Sequence, residues 1–215
     1  MIDIKCFCVN MVQENCFIVS DETRECVMID CGAFYDAERK AIVDYLKDQG
    51  LKLRHLLCTH GHMDHVFGND TIADAFGVLP EIHAEDGDML LNIDQQSRGL
   101  LGIGYDRTMP EAGHYLTDGE EITFGSHHFQ VIHTPGHTPG GVLFYCASEQ
   151  AVFTGDTLFR MSVGRTDLPG GSWPQLMDSL TTRVAKLPKP TVVYTGHGPR
   201  SLISDELLMN PYLRS

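Results

Sequence analysis

Between residues 58 and 68 the chain reads CTHGHMDHVFG, which sets three histidines and an aspartate within the six positions from His60 to His65. Donors crowded in this way compete and repel unless a cation binds between them. Any fold open to this chain must therefore present the segment to an ion rather than lose it in apolar packing. The preceding run, LRHLL, reads as a short buried strand that delivers the cluster at its end.

Three later stretches repeat the design of an apolar strand followed by a turn that carries a good ligand: QVIHTPGHTPG, AVFTGDTLF and VVYTGHG. Residues just past a strand end are held by a rigid sheet yet reach its rim, where α/β folds tend to place ligand sites. The candidate set is His60, His62, Asp64, His65, His137, Asp156 and His197. Seven nitrogen and carboxylate donors suit two metal ions that share one carboxylate. Imidazole and carboxylate favour zinc, with iron or manganese as alternatives. Ions in such a site bring the pKa of bound water from about 15.7 to about 7, giving a hydroxide nucleophile beside a Lewis acid. The turns of TPGHTPGG pin His137 between two tight bends. The remaining histidines (55, 83, 114, 127, 128 and 133) read as structural or solvated. His127 and His128 are adjacent in a strand pattern and point to opposite faces.

Apolar runs at IKCFCV, CFIV and CVMID predict three strands. A helix over 36–49 follows, with Asp36 as N-cap, Ile42, Tyr45 and Leu46 on one face, and Gly50 as its stop. TIADAF and AEDGDMLLNI look helical, whereas 97–116 has glycines, a proline and no period, and reads as a loop covering a site or connecting two elements. Strand rhythm returns in EITF, HHFQVIH, GVLFYC and AVFTGD. A helix in WPQLMDSLTTRVAKL, a strand in TVVYTGH and a helical stretch over 203–209 complete the chain. Two strand-rich halves with helices predict two packed sheets with helices outside, in one domain spanning 1–215.

The formal charge of -13 disfavours a nucleic-acid face, which needs concentrated basic residues. No apolar run approaches membrane-spanning length. Seven cysteines, without a Cys-x-x-Cys pair and several within apolar runs, read as buried reduced thiols and predict a cytoplasmic protein. The expected partner is a small-molecule substrate, with neither nucleic acid nor membrane.

The motifs THGHMDH, TPGHTPG, GDTLF, VGRTD and TGHG occur in an order that resembles the metallo-β-lactamase superfamily, and within it the glyoxalase II-like (hydroxyacylglutathione hydrolase-like) hydrolases. The resemblance implies a four-layer αββα sandwich of two mixed sheets flanked by helices. It implies that His60, His62 and His137 hold one metal, that Asp64, His65 and His197 hold the other, and that Asp156 bridges them. Asp64 and Asp156 would carry catalysis, with a metal-bridging hydroxide attacking a thioester or ester carbonyl. Arg165 of VGRTD falls where such enzymes contact their substrate.

Two departures count against ordinary glutathione recognition. The chain ends 18 residues after His197, without the C-terminal helical domain of glyoxalase II enzymes. Gly198, Pro199 and Asp167 also stand where those enzymes tend to have aromatic residues. Two rivals share the fold: a persulfide dioxygenase with one iron held by two histidines and an aspartate, and a lactonase.

Overall fold

The computed structural model describes residues 1–213. Its first half forms one mixed sheet from β1 (Asp3–Val9), β2 (Glu14–Ser20), β3 (Glu25–Ile29), β4 (Lys52–Leu57), β5 (Pro80–His83) and β6 (His114–Leu116), side by side in that order. The first three strands are antiparallel neighbours, and β3 to β6 run parallel. The second half builds the other sheet from β7 (Glu121–Phe124), β8 (His127–His133), β9 (Val142–Cys146) and β10 (Ala151–Gly155). A small ribbon of β11 (Leu158–Phe159) and β12 (Ser162–Val163) follows, and β13 (Val192–Thr195) and β14 (Ser201–Leu202) extend the sheet past β10.

Side-chain alternation explains why these strands are buried on both faces. Val27 and Ile29 of β3 point into the layer between the sheets, while Cys26 and Met28 face the helices outside. Phe153 of β10 meets Phe17 and Phe129 edge to face at 5.2 and 5.6 Å, and Tyr194 stacks on it at 5.0 Å. One outer layer is covered by α1 (Asp36–Asp48), whose Ile42 and Leu46 are fully buried. The other is covered by α6 (Trp173–Thr182) and α7 (Ile203–Met209), which contribute Leu176, Leu180 and Ile203. The architecture is the expected αββα sandwich of two mixed sheets flanked by helices.

Strand direction brings the candidate site to one rim. Because β3 and β4 are parallel, Asp30 and the segment from Thr59 emerge at the same edge. In the other sheet β8 and β10 both run antiparallel to β9, and β13 is parallel to β10. The ends of β8, β10 and β13 therefore also share an edge. The two edges are sewn together: Asn15 N–H donates to Gly196 O at 2.8 Å, and its side chain donates to Thr195 O and Gly198 O. The short α2 (Met63–Val66) and α3 (Asn69–Phe76) continue from the histidine cluster. The buried Arg39 guanidinium clamps this segment to α1 by donating to Phe67 O at 2.6 Å and to Asp70 at 2.5 Å.

Several local expectations are corrected. The first helix begins at Asp36, but its cap position is Tyr35, and Glu38 accepts the Tyr35 amide at 3.1 Å. Residues 97–116 are not one loop: α4 (Gly87–Leu91) is followed by α5 (Ile93–Leu101), and β6 takes the segment's end. Cys6 and Cys8 are exposed, whereas the other five thiols are buried. No helix among the described residues is long and apolar enough to cross a membrane.

Candidate metal centre

The seven candidate ligands converge. His60 and His62 leave the end of β4, and Asp64 and His65 sit in the first turn of α2. His137 follows β8, Asp156 follows β10 directly, and His197 lies just beyond β13. His60, His62, His65 and His137 are buried, and the other three are partly so. Donor atoms of His60, His62 and His137 lie within 4.8 Å of one another, as do those of Asp64, His65 and His197. Asp156 stands between the triads: its Oδ2 is 3.6 Å from His137 Nε2, and its Oδ1 is 3.3 Å from His65 Nε2.

The ring nitrogens facing inward are arranged for a cation. His62 Nδ1 and His137 Nε2 approach to 2.8 Å, and His65 Nε2 and His197 Nε2 to 3.3 Å. The buried His60 Nε2 and Asp156 Oδ1 have no hydrogen-bond partner. Unpartnered buried polar atoms are costly, and metal ions held by the two triads would satisfy them.

Outer contacts set the tautomers that this requires. Thr59 Oγ1 donates to Asp30 Oδ2 at 2.7 Å, so His60 Nδ1–H donates to Thr59 Oγ1 at 3.0 Å. His65 Nδ1–H donates to Asp30 Oδ2 at 2.9 Å, and His137 Nδ1–H to the Arg165 carbonyl at 2.7 Å. His197 Nδ1–H donates to Val12 O at 3.1 Å. With the outer nitrogen protonated, each of these four rings turns a lone pair to the centre. Asp30 adopts φ +51°, a left-handed conformation that aspartate tolerates better than most residues.

Electrostatics divide the centre. Burial, reinforced by neighbouring histidines, holds His60 well below its ordinary pKa and brings His62 to about 3, so both are neutral donors. Burial also opposes charge on Asp64 and Asp156, but His65 beside them outweighs it and holds both carboxyls below the usual range. His65 and His197 are drawn upward by these carboxylates against their own burial. The centre thus pairs the neutral imidazoles of His60 and His62 with the ionised carboxylates of Asp64 and Asp156. The pull of these carboxylates on His65 and His197 marks a place that favours positive charge, and the donor set fits divalent cations. Gly196 is part of the fit, since a Cβ there would lie 2.4 Å from Asp156 Oδ1 and 2.6 Å from His65 Cε1.

The centre opens into a cavity of about 200 Å³ whose wall includes Val12, Leu100, Leu168 and Arg165. Arg165 donates through Nε and Nη2 to the two oxygens of Asp167, each at 2.7 Å. Sequence reasoning left unnamed three polar residues that shape the site. Asp30 orients His65, Asn10 donates to the backbone oxygens of Gly32 and Asp64 at 2.9 Å each, and Asp86 accepts from the amides of Gly61 and Gly140. Asp30 carried a readable signal, because CVMIDCG repeats the pattern of an apolar strand ended by a donor. His83, Glu85 and His133 form a separate group with donor atoms within 4.8 Å, whereas from sequence the two histidines read as structural or solvated.

Comparison with known proteins identifies the family. The chain belongs to the metallo-beta-lactamase superfamily, whose family profile matches residues 9–197. It is 31% identical over 208 residues to a protein of Haemophilus influenzae named hydroxyacylglutathione hydrolase GloC, covering 96% of each chain. The crystal structure of BLEG-1 B3 metallo-beta-lactamase superposes with a TM-score of 0.91 at 34% identity, over 99% of this chain and 100% of that one. TTHA1623, in a di-iron-bound form, superposes with a TM-score of 0.86 at 34% identity, over 97% of this chain and 100% of that one.

Proposed function

We propose that the chain is a metal-dependent hydrolase that cleaves a thioester or ester of a small-molecule substrate, in the manner of glyoxalase II-like enzymes. The observation that carries this reading is the position of Asp156, whose two oxygens reach toward two separate triads of inward-facing donors. His60, His62 and His137 would hold one divalent ion, and Asp64, His65 and His197 the other. Zinc suits the donors, and the di-iron form of a similar protein keeps iron in contention. When bound, such ions lower the pKa of water toward neutrality and stabilise negative charge on a carbonyl oxygen.

The chain's own residues supply the rest. Asp64 and Asp156, ionised at neutral pH, accept hydrogen bonds from the attacking water and orient it. The water gives up one proton as its oxygen bonds to the scissile carbonyl carbon, and that proton passes to the departing thiolate or alkoxide as the carbon–sulfur or carbon–oxygen bond breaks. Thr59, Asp30 and the Arg165 carbonyl keep His60, His65 and His137 in the tautomers that leave their inner nitrogens unprotonated. Arg165, on the wall of the opening, is assigned to an acidic group of the substrate, which takes the place of Asp167 on its guanidinium. Five buried thiols and no disulfide among the described residues suit a reducing, cytoplasmic setting.

The test is metal analysis joined to turnover on thioesters, esters, lactones and β-lactams, with oxygen uptake on glutathione persulfide measured in parallel. Two ions per chain and thioester or ester cleavage are expected. One iron per chain with oxygen consumption would overturn the reading in favour of the dioxygenase, which leaves Asp64, His65, His197 and one histidine of the first triad without a metal to hold. Arg165→Ala should lower kcat/KM for acidic substrates, and unchanged values across all of them would remove its assignment.

A further inference from the structure

The opening of the metal centre continues into a second space. His62, Leu100 and Leu168 line both the opening and an adjoining groove of about 400 Å³ that follows α4 and α5. Met89 and Leu100 form apolar surface on the helical side, and Leu168 and Pro169 close the groove from the segment after β12. Leu100 keeps 47% of its surface exposed where it lines both the opening and the groove.

Two polar residues of the groove, Gln96 and Asn92, are bonded to the protein backbone, while Gln95 stands exposed beside them. Gln96 spends its amide on the protein backbone, accepting from Met63 N–H at 3.1 Å and donating to Gly61 O at 3.0 Å and Met89 O at 2.8 Å. Asn92 Nδ2 donates to Asp88 O at 2.7 Å. Among the described residues, Asp88 is the only one of the acidic and basic types Asp, Glu, Lys and Arg that lines the groove. Arg165 lines the opening at the metal centre and not the groove. Such a surface has shape and apolar area but, among the described residues, no lysine or arginine to hold an anionic tail.

We propose that this groove takes a neutral, unbranched apolar chain of the substrate, whose scissile carbonyl lies at the metal centre. The assignment rests on the hydrolase reading above and adds to it a substrate class: medium-chain apolar esters or thioesters. It separates the chain from recognition of a charged peptide such as glutathione within the groove. The apolar chain belongs to either the acyl part or the leaving group, and the two are distinguished by experiment.

Metal-loaded enzyme is assayed on two thioester series. In one, acyl groups from acetyl to decanoyl are carried by N-acetylcysteamine; in the other, acetyl is carried by alkyl thiols of the same lengths. Burial of a methylene is worth about 0.8 kcal/mol, so kcat/KM should rise up to about fourfold per methylene in one series until the groove is filled. The series that rises identifies the source of the chain. Leu100→Arg should flatten the rise and improve the ratio of adipoyl to hexanoyl substrates. Binding is read separately from the Met89 methyl resonance during titration with 2-butanone, 2-hexanone and 2-octanone, which cannot be hydrolysed. Tighter binding of the longer ketones is expected. Flat kcat/KM in both series, with acetyl thioesters still cleaved, would overturn the groove assignment and leave the hydrolase reading intact. Length-dependent ketone binding without cleavage of any ester would overturn the hydrolase reading and leave the groove. Neither cleavage nor binding would overturn both.

Discussion

Asp86 Oδ2 accepts the amide hydrogen of Gly61 at 2.9 Å, and its Oδ1 accepts that of Gly140 at 2.7 Å. One fully buried carboxylate thereby joins the loop between His60 and His62 to the loop just after His137. The approach is close enough to require glycine: a Cβ on Gly61 would lie 2.9 Å from Asp86 O, and one on Gly140 would lie 2.7 Å from Asp86 Oδ1. All three histidines of the first triad depend on this tie for their spacing.

Asp86→Asn keeps the shape but replaces one acceptor with a donor, so one of the two amides loses its partner. An unsatisfied buried group costs about 1–3 kcal/mol, and loss of outer support typically weakens metal binding by about 10–100-fold. The expected result is a lower urea midpoint and weaker binding of one ion in chelator competition. Unchanged affinity would show that the two loops are held by their strands alone.

Asp30→Asn tests the second triad through the tautomer of His65. The substituted amide would retain an oxygen for Thr59 N–H, which now donates to Asp30 Oδ1 at 2.7 Å. Its NH₂ would then face His65 Nδ1 and favour the tautomer with the proton on Nε2, the nitrogen needed for a metal. On the proposed two-ion reading, metal content should fall toward one ion per chain, with His65 as the lost ligand. Full occupancy at equal affinity would refute this role.

Gly196→Ala should harm the same half of the centre by sterics alone. The added methyl would press on Asp156 and His65, which are fixed by a buried environment. The expectation is at least a tenfold loss of activity with a smaller loss of stability, measured by kcat/KM beside thermal unfolding. Retained activity would mean that the turn after β13 shifts to make room.

Much of this arrangement was legible because ligand and strand signals coincide. Each of the seven donors follows an apolar run, and parallel strands carry such ends to one rim. The helix over 203–209 was likewise read at its observed limits. Residues 97–116 misled for a physical reason. In α5 the buried face includes Ser97, whose hydroxyl donates back to Ile93 O at 2.7 Å, so a polar residue stands where periodicity demands an apolar one. Gly99 lies inside that helix, and Gly102, at φ +69°, is the glycine that ends it. The three residues of β6 are too few to display alternation and gain their identity from pairing with β5. Asp86 was unreadable because its partners lie 25 and 54 residues away, and no local pattern marks a carboxylate that accepts from distant amides.

His55, at the inner side of β4, links the two sheets and should do so in a pH-dependent way. Its Nδ1 lies 2.7 Å from Glu81 Oε1 on β5, and its Nε2 lies 3.2 Å from the Thr123 carbonyl on β7. Only the protonated ring donates at both nitrogens. Burial opposes the charge, but the Glu81 carboxylate and the Thr123 carbonyl outweigh it, so the pKa is raised above the ordinary value. A raised folded-state pKa contributes stability that is fully present below the unfolded value, about 6.5, and is lost as pH rises through the folded one. For a partly exposed pair the contribution should be about 1 kcal/mol. Urea unfolding of wild type and His55→Gln from pH 5.5 to 9 isolates it, because the metal-centre groups titrate in both proteins and cancel in the difference. The stability gap should be widest at pH 5.5 and close toward pH 9. A gap that is constant or grows with pH would mean that His55 joins the sheets as a neutral ring.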